Sequence, residues 1–172
     1  MIIPGTNLVK RKHAILMICG TILLVVSHVQ AFAQEQPPKP ITVTVITSQN
    51  LSFGTFIQNG SSGTVTVTAQ GMRTATGSVI LPNISSNVTP ALFEVGAIPG
   101  TLITISNGPP ATLWGGGFSM TMQIGASNPQ SPFITTGAIT PVTIGGTLTV
   151  GPLSANPAGN YIGPFTVTFI QQ

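Results

Sequence analysis

The sequence predicts an all-β protein, an antiparallel β-sandwich that follows an N-terminal export signal. Three observations carry this. From Ile41 onward, apolar residues recur at every second position in short runs, with Thr between them. Gly, Pro and Asn interrupt these runs at short intervals, as turns between short strands do. No window after the signal shows a capped apolar stripe of 3.6-residue period, so no helix is expected there.

The first 33 residues read as a signal peptide. Lys10, Arg11 and Lys12 form a basic start, and a 13-residue apolar run from Ala14 to Val26 follows. Ala31-Phe32-Ala33 supplies small residues at −3 and −1, which predicts cleavage before Gln34. The run is shorter than the roughly 20 apolar residues of a spanning helix, and Ser27, His28 and Gln30 end it. No membrane span is therefore expected in the mature chain. Cys19 lies inside the apolar run rather than at its end and reads as a small apolar residue.

Removing 33 of the 172 residues leaves 139, which suits one domain. Residues 34–40, Gln-Glu-Gln-Pro-Pro-Lys-Pro, are too polar and Pro-rich to fold and read as an extended leader. Residues 41–172 form the predicted β-sandwich domain. Within it Ile41, Val43 and Val45 alternate with Thr, as do Val65 and Val67. The same period runs through Phe118, Met120, Met122 and Ile124, through Leu148 and Val150, and through Phe165, Val167 and Phe169. Alternation sends the apolar set to the core and the Thr set to solvent. Thr suits the outer position because its β-branch favours strands while its hydroxyl stays wet. Turns are expected at Gln58-Asn59-Gly60, Ile98-Pro99-Gly100, Asn107-Gly108-Pro109-Pro110, Asn128-Pro129 and Asn156-Pro157.

Charge excludes one class of function. The full chain is formally +3, but three of its five basic residues lie in the signal peptide. The mature chain keeps Lys39 and Arg73 against Glu35 and Glu94, a net charge of zero. Nucleic-acid binding needs clustered cations to displace counterions from phosphates, so no nucleic-acid partner is expected. Four charges in 139 residues is about 3%, against roughly 25% in soluble domains. Sheet edges are usually guarded by Lys and other charges, and near-zero net charge promotes association. A chain lacking both defences is expected to have its edges occupied by a partner.

Residue types exclude catalysis with equal force. After Ala33 there is no His, Cys or Asp. A Ser or Thr nucleophile would have no imidazole base. Paired carboxylates would have to be Glu35 and Glu94, and the first lies in the leader. Zinc wants Cys or His and calcium wants several carboxylates, so no enzyme activity, metal or cofactor is expected. Gly115-Gly116-Gly117 lacks the Lys and Ser/Thr of a phosphate loop and reads as a turn or bulge. Trp114 beside it is the one candidate for ligand stacking, on a sugar. Tyr161 is expected to pack against the sandwich with its hydroxyl satisfied locally.

The ordered motifs Leu51-Ser-Phe53-Gly54, Gly63-Thr-Val-Thr-Val67, Ala91-Leu-Phe93-Glu-Val95-Gly96, Ile144-Gly-Gly-Thr-Leu148-Thr-Val150 and Gly159-Asn-Tyr161-Ile-Gly163-Pro-Phe165-Thr-Val167-Thr168 span nearly all of the mature chain. Together they resemble a bacterial exported family known as domain of unknown function four-four-zero-two. That family is similar in pattern to spore coat protein U and the archaic chaperone–usher pilins. Spore-coat-U-type pilins often carry a disulfide near the first strand, and this chain departs from that pattern in having no Cys after Cys19.

The resemblance implies an immunoglobulin-like, pilin-like sandwich completed by a neighbour's strand, with a chaperone and usher as partners beside other pilin-like subunits. Ile41, Val43 and Val45 follow the leader directly, where a donated strand would lie, or they form the first strand of their own domain. In the donor case Phe165, Val167 and Phe169 border the acceptor groove, and main-chain hydrogen bonds join the subunits. The expected function is a secreted structural subunit of a fimbrium or adhesive surface, located in the periplasm or at the cell surface. The alternatives are a self-contained periplasmic or surface sandwich and a carbohydrate-binding module around Trp114.

Overall fold

The computed structural model describes residues 39–84 and 86–172. The expected signal peptide, its cleavage site and the leader as far as Pro38 lie outside the described residues. Every strand pair formed among the described residues is antiparallel, and these residues contain no helix.

The organising strand is β11 (Ile139–Val150). Its first half pairs with β6 (Ala91–Gly96) and its second half with β3 (Ile57–Val67). Its other edge, Thr143–Thr149, pairs with β9 (Phe118–Asn128). The sheet continues from β6 to β1 (Thr42–Val45), from β3 to β4 (Arg73–Ile80) and from β9 to β8 (Ala111–Gly115). Gly145 sits where β6 gives way to β3, at a shift in the β9 register. A Cβ there would strike the Val67 carbonyl and the backbone of Thr68 and Ala69. Only glycine lets the three strands meet so closely.

A second, small sheet holds β10 (Phe133–Ile134), β7 (Leu102–Asn107) and β12 (Val167–Gln171) in that order. A two-stranded ribbon of β2 (Ser52–Phe53) and β5 (Val88–Thr89) completes the set. The small sheet packs on the β6 end of the main sheet. Phe93, Val95, Val142 and Ile144 from below meet Ile103 and Phe133 from above, with Val167 and Phe169 against them. The other cluster gathers Val65, Val67, Leu113, Met120, Met122 and Leu148 on the inner face of β3, β8, β9 and β11. Each such side chain contributes about 1.5–3 kcal/mol on leaving water. The result is an all-β, antiparallel sandwich, curled so that one sheet supplies most of both walls.

The period-two reading places the outer face well. Thr76, Thr64, Thr149, Thr121 and Thr112 lie side by side across β4, β3, β11, β9 and β8. The Thr64 and Thr76 hydroxyls share a hydrogen bond of 2.7 Å, and those of Thr66 and Thr147 one of 3.0 Å. The exceptions are Thr140 on the inner face of β11, buried, and Thr135, 1% exposed. The Thr135 Oγ1 donates to the Ile98 carbonyl at 2.8 Å and accepts from the Thr101 amide at 3.1 Å, which satisfies the buried hydroxyl.

Two local expectations need correction. Gln58-Asn59-Gly60 does not reverse the chain but lies within β3, where the pairing with β4 slips between Gln58 and Gly63. The Gln58 amide donates to the Gly60, Ser61 and Gly151 carbonyls, and Gly60 takes φ 94°, so the irregularity is held as a bulge inside one strand. The last strand starts at Val167 rather than Phe165. Pro164 has no amide to pair, and Phe165 turns inward to touch both core clusters.

Candidate assembly face

β1 is held by β6 alone, with Thr42 opposite Gly96, Val43 opposite Val95, Thr44 opposite Glu94 and Val45 opposite Phe93. The strand therefore pairs within its own chain. All four residues are exposed, with Val43 at 41% and Val45 at 56%. Ile41, just before it, is half-buried against the Phe93 cluster. Of the three candidate donor residues, one reaches the core and two lie at the rim.

β12 lies at the edge of the small sheet, and among the described residues it pairs only with β7. Val167 and Phe169 are half-buried and face the core, while Thr168 and Ile170 face out. The Phe93 ring is 6.5 Å from that of Phe165, edge to face at 86°, and 5.5 Å from that of Phe169, tilted at 55°. These contacts set β12 over β6, next to the edge that β1 occupies. Among the described residues the outer edges of β1 and β12 carry no partner strand, and both strands border β6, β1 by pairing and β12 through the Phe93–Phe169 contact.

A groove of about 610 Å³ opens beside Val45 at the end of β1, and no residue of β12 lines it. Val45 and Leu51 line it together with Tyr161 and Phe165, and the buried core residues Leu113 and Met122 lie at its floor. Among the described residues no charged side chain lines it. The Tyr161 segment is fixed by two devices. The Trp114 and Ile162 backbones exchange hydrogen bonds of 2.8 and 3.0 Å, and the Tyr161 hydroxyl donates to the Pro157 carbonyl at 2.9 Å. The Phe53 segment is pinned by Arg73, whose Nη1 donates to the Phe53 and Thr55 carbonyls at 3.1 and 3.0 Å and to Ser86 Oγ at 3.2 Å.

Val45 and Phe165 are brought to the same groove, whereas Val43 is not among its lining residues. Leu51 and Phe53, which enter the sequence reading only as motif residues, and Phe56, which lies outside every motif, also line the groove. An apolar cluster placed outside any long alternating run is the signal that marks them.

Trp114 stands apart from this groove, on the outer face of β8 opposite Ser119 and Ile162, and is 61% exposed. The glycine run beyond it is the β8–β9 hairpin turn, where Gly116 and Gly117 take φ 58° and 85°. A shallower cleft of about 310 Å³ lies beside Trp114, lined also by Pro109, Pro110 and Pro164. Among the described residues no three His, Cys, Asp or Glu side chains group as metal ligands, and no helix is long and apolar enough to cross a membrane.

Neither a curated protein nor a solved structure matches the chain. A family model does match, over residues 43–170, which is most of the chain and runs from within β1 to within β12. The chain belongs to the family described as domain of unknown function DUF4402.

Proposed function

We propose that this chain is an exported, non-catalytic structural subunit that joins like subunits by β-strand addition, as in a fimbrium or adhesive surface layer. The observation that carries the reading is the unguarded side of the sandwich. There, among the described residues, the outer edge of β1 carries no partner strand, and Val45 at its end lines a groove without charged side chains that reaches core residues. Free edges carry unpaired amides and carbonyls that template another strand, and an apolar groove beside them gives alternate side chains somewhere to go. The scarcity of charge and the signal-peptide pattern support export and association. A periplasmic chaperone and an usher fit this reading, because an open apolar side needs cover before assembly.

The in-chain pairing of β1 favours a second reading, a self-contained sandwich at the surface or in the periplasm. Deleting Gln34–Ile46 separates the two. A self-associating subunit that uses this strand loses its oligomers in light scattering while its far-ultraviolet spectrum stays β-rich. A self-contained domain is monomeric before and after the deletion.

A further inference from the structure

We infer that subunits associate by exchanging β1, so that β1 of one copy takes on β6 of the next the place it holds on its own. The inference rests on the assembly reading above and names its partner, a second copy of this chain, and its acceptor, the edge of β6.

The argument begins with what β1 contributes where it lies. Its four residues are exposed and, among the described residues, pair with one strand, so backbone hydrogen bonds to β6 hold it, with half-buried Ile41 before it reaching the core. It is also the N-terminal element of the described sandwich, so its departure threads nothing through the core. Beyond Ile46 the chain is anchored again at once, because the Leu92 amide donates to the Gln49 carbonyl at 3.1 Å and Gln49 Nε2 donates to the Pro90 carbonyl at 3.3 Å. The hinge is therefore Thr47-Ser48, both exposed, in a tight turn closed by the Gln49 amide on the Ile46 carbonyl at 3.0 Å. Short hinges of this kind invite exchange between copies.

The choice of acceptor follows from counting edges. Moving β1 to a neighbour's β12 would leave one edge of β6 bare, with the backbone groups of Phe93–Gly96 that face β1 unpaired while the other edge stays on β11. An unpaired buried backbone group costs free energy comparable to a lost hydrogen bond. Moving β1 to a neighbour's β6 restores every pair, since the same four residues meet the same four partners. Only the two ends of a chain of subunits stay open. Exchange is then close to neutral per subunit, and concentration and the hinge decide the outcome.

Single cysteines on separate chains test this, because the only Cys, Cys19, precedes the expected cleavage site. Thr44 and Glu94 lie directly opposite each other. Opposed residues of an antiparallel pair stand about 4.5–5.5 Å apart at Cα, within the range a disulfide spans. Full-length Thr44→Cys and Glu94→Cys chains, co-expressed with export, are expected to give a disulfide-linked heterodimer that neither chain forms with an unsubstituted partner. On the unsubstituted protein, β6 amides should be as protected from hydrogen exchange in the oligomer as in the monomer.

Oligomers that lack the 44–94 link, cross-link Thr44→Cys to Thr168→Cys on β12 instead, or expose β6 amides overturn the exchange and leave the assembly reading standing. A wild-type chain that stays monomeric at every concentration overturns both.

Discussion

The rings of Phe93 on β6 and Phe169 on β12 lie 5.5 Å apart, tilted at 55°, and join the two sheets beside the open face. Phe93 is buried and Phe169 only half so. Phe93→Ala is expected to destabilise by about 3–5 kcal/mol, and Phe169→Ala by less. Chemical denaturation of both single variants and the double variant should give a coupling of about 0.5–1.5 kcal/mol, as for aromatic pairs in contact. Strict additivity would mean that this contact does not hold β12 in place.

Gly145→Ala is expected to cost about 1–3 kcal/mol, as overpacking does, because the new methyl meets the Val67 carbonyl and the Thr68 backbone. Gly116→Ala strains a left-handed turn residue but meets nothing within 4 Å, so it should cost less. Thermal unfolding of the two variants side by side checks the order.

Arg73→Ala removes a guanidinium that bonds Phe53 O, Thr55 O and Ser86 Oγ. Hydrogen bonds from a charged donor are worth about 1.5–3 kcal/mol, so a loss of that size in urea is expected. Arg73→Lys should recover only part of it, since an ammonium keeps the charge and has three donors but ends on a shorter stem than Nη1, which makes all three bonds. Full recovery by Lys would assign the effect to charge alone.

Trp114→Ala should leave stability within about 0.5 kcal/mol, as for a surface substitution away from special features, because the side chain is mostly exposed. It should also leave self-association unchanged, since Trp114 does not line the groove. Retention on an immobilised glycan array that the substitution abolishes would instead favour the carbohydrate-binding reading.

What could be read from the sequence divides along physical lines. Long strands that bury one face declare themselves by alternation, and β3, β9 and β11 were legible through Val65, Met120 and Leu148. β8 was not, because Ala111-Thr-Leu113-Trp114 is short and one of its two outward residues is an aromatic rather than a Thr. β2, β5 and β10 have two residues each, too few for any period. Gln58-Asn59-Gly60 carries turn residues, yet a side-chain amide reaching the distant Gly151 carbonyl keeps the strand going. That contact is non-local and leaves no mark in the window around it.

The open face was legible in part. Ile41, Val43 and Val45 were identifiable as a strand next to the leader, but which edge they pair with depends on β6 lying roughly fifty residues further along the chain. The groove required folded coordinates, because Leu51, Tyr161 and Phe165 come from segments far apart in sequence. The edge that stays free on β12 follows from strand order, which composition does not encode.

The most direct test of the assembly account is an SDS gel of residues 34–172 purified from periplasm, run with and without boiling. The account predicts a ladder at multiples of the monomer mass that collapses to one band on boiling, because heat breaks the β1–β6 strand pairing that joins the subunits. A single monomer band in both lanes, with light scattering showing one monomeric species that unfolds cooperatively, would contradict it.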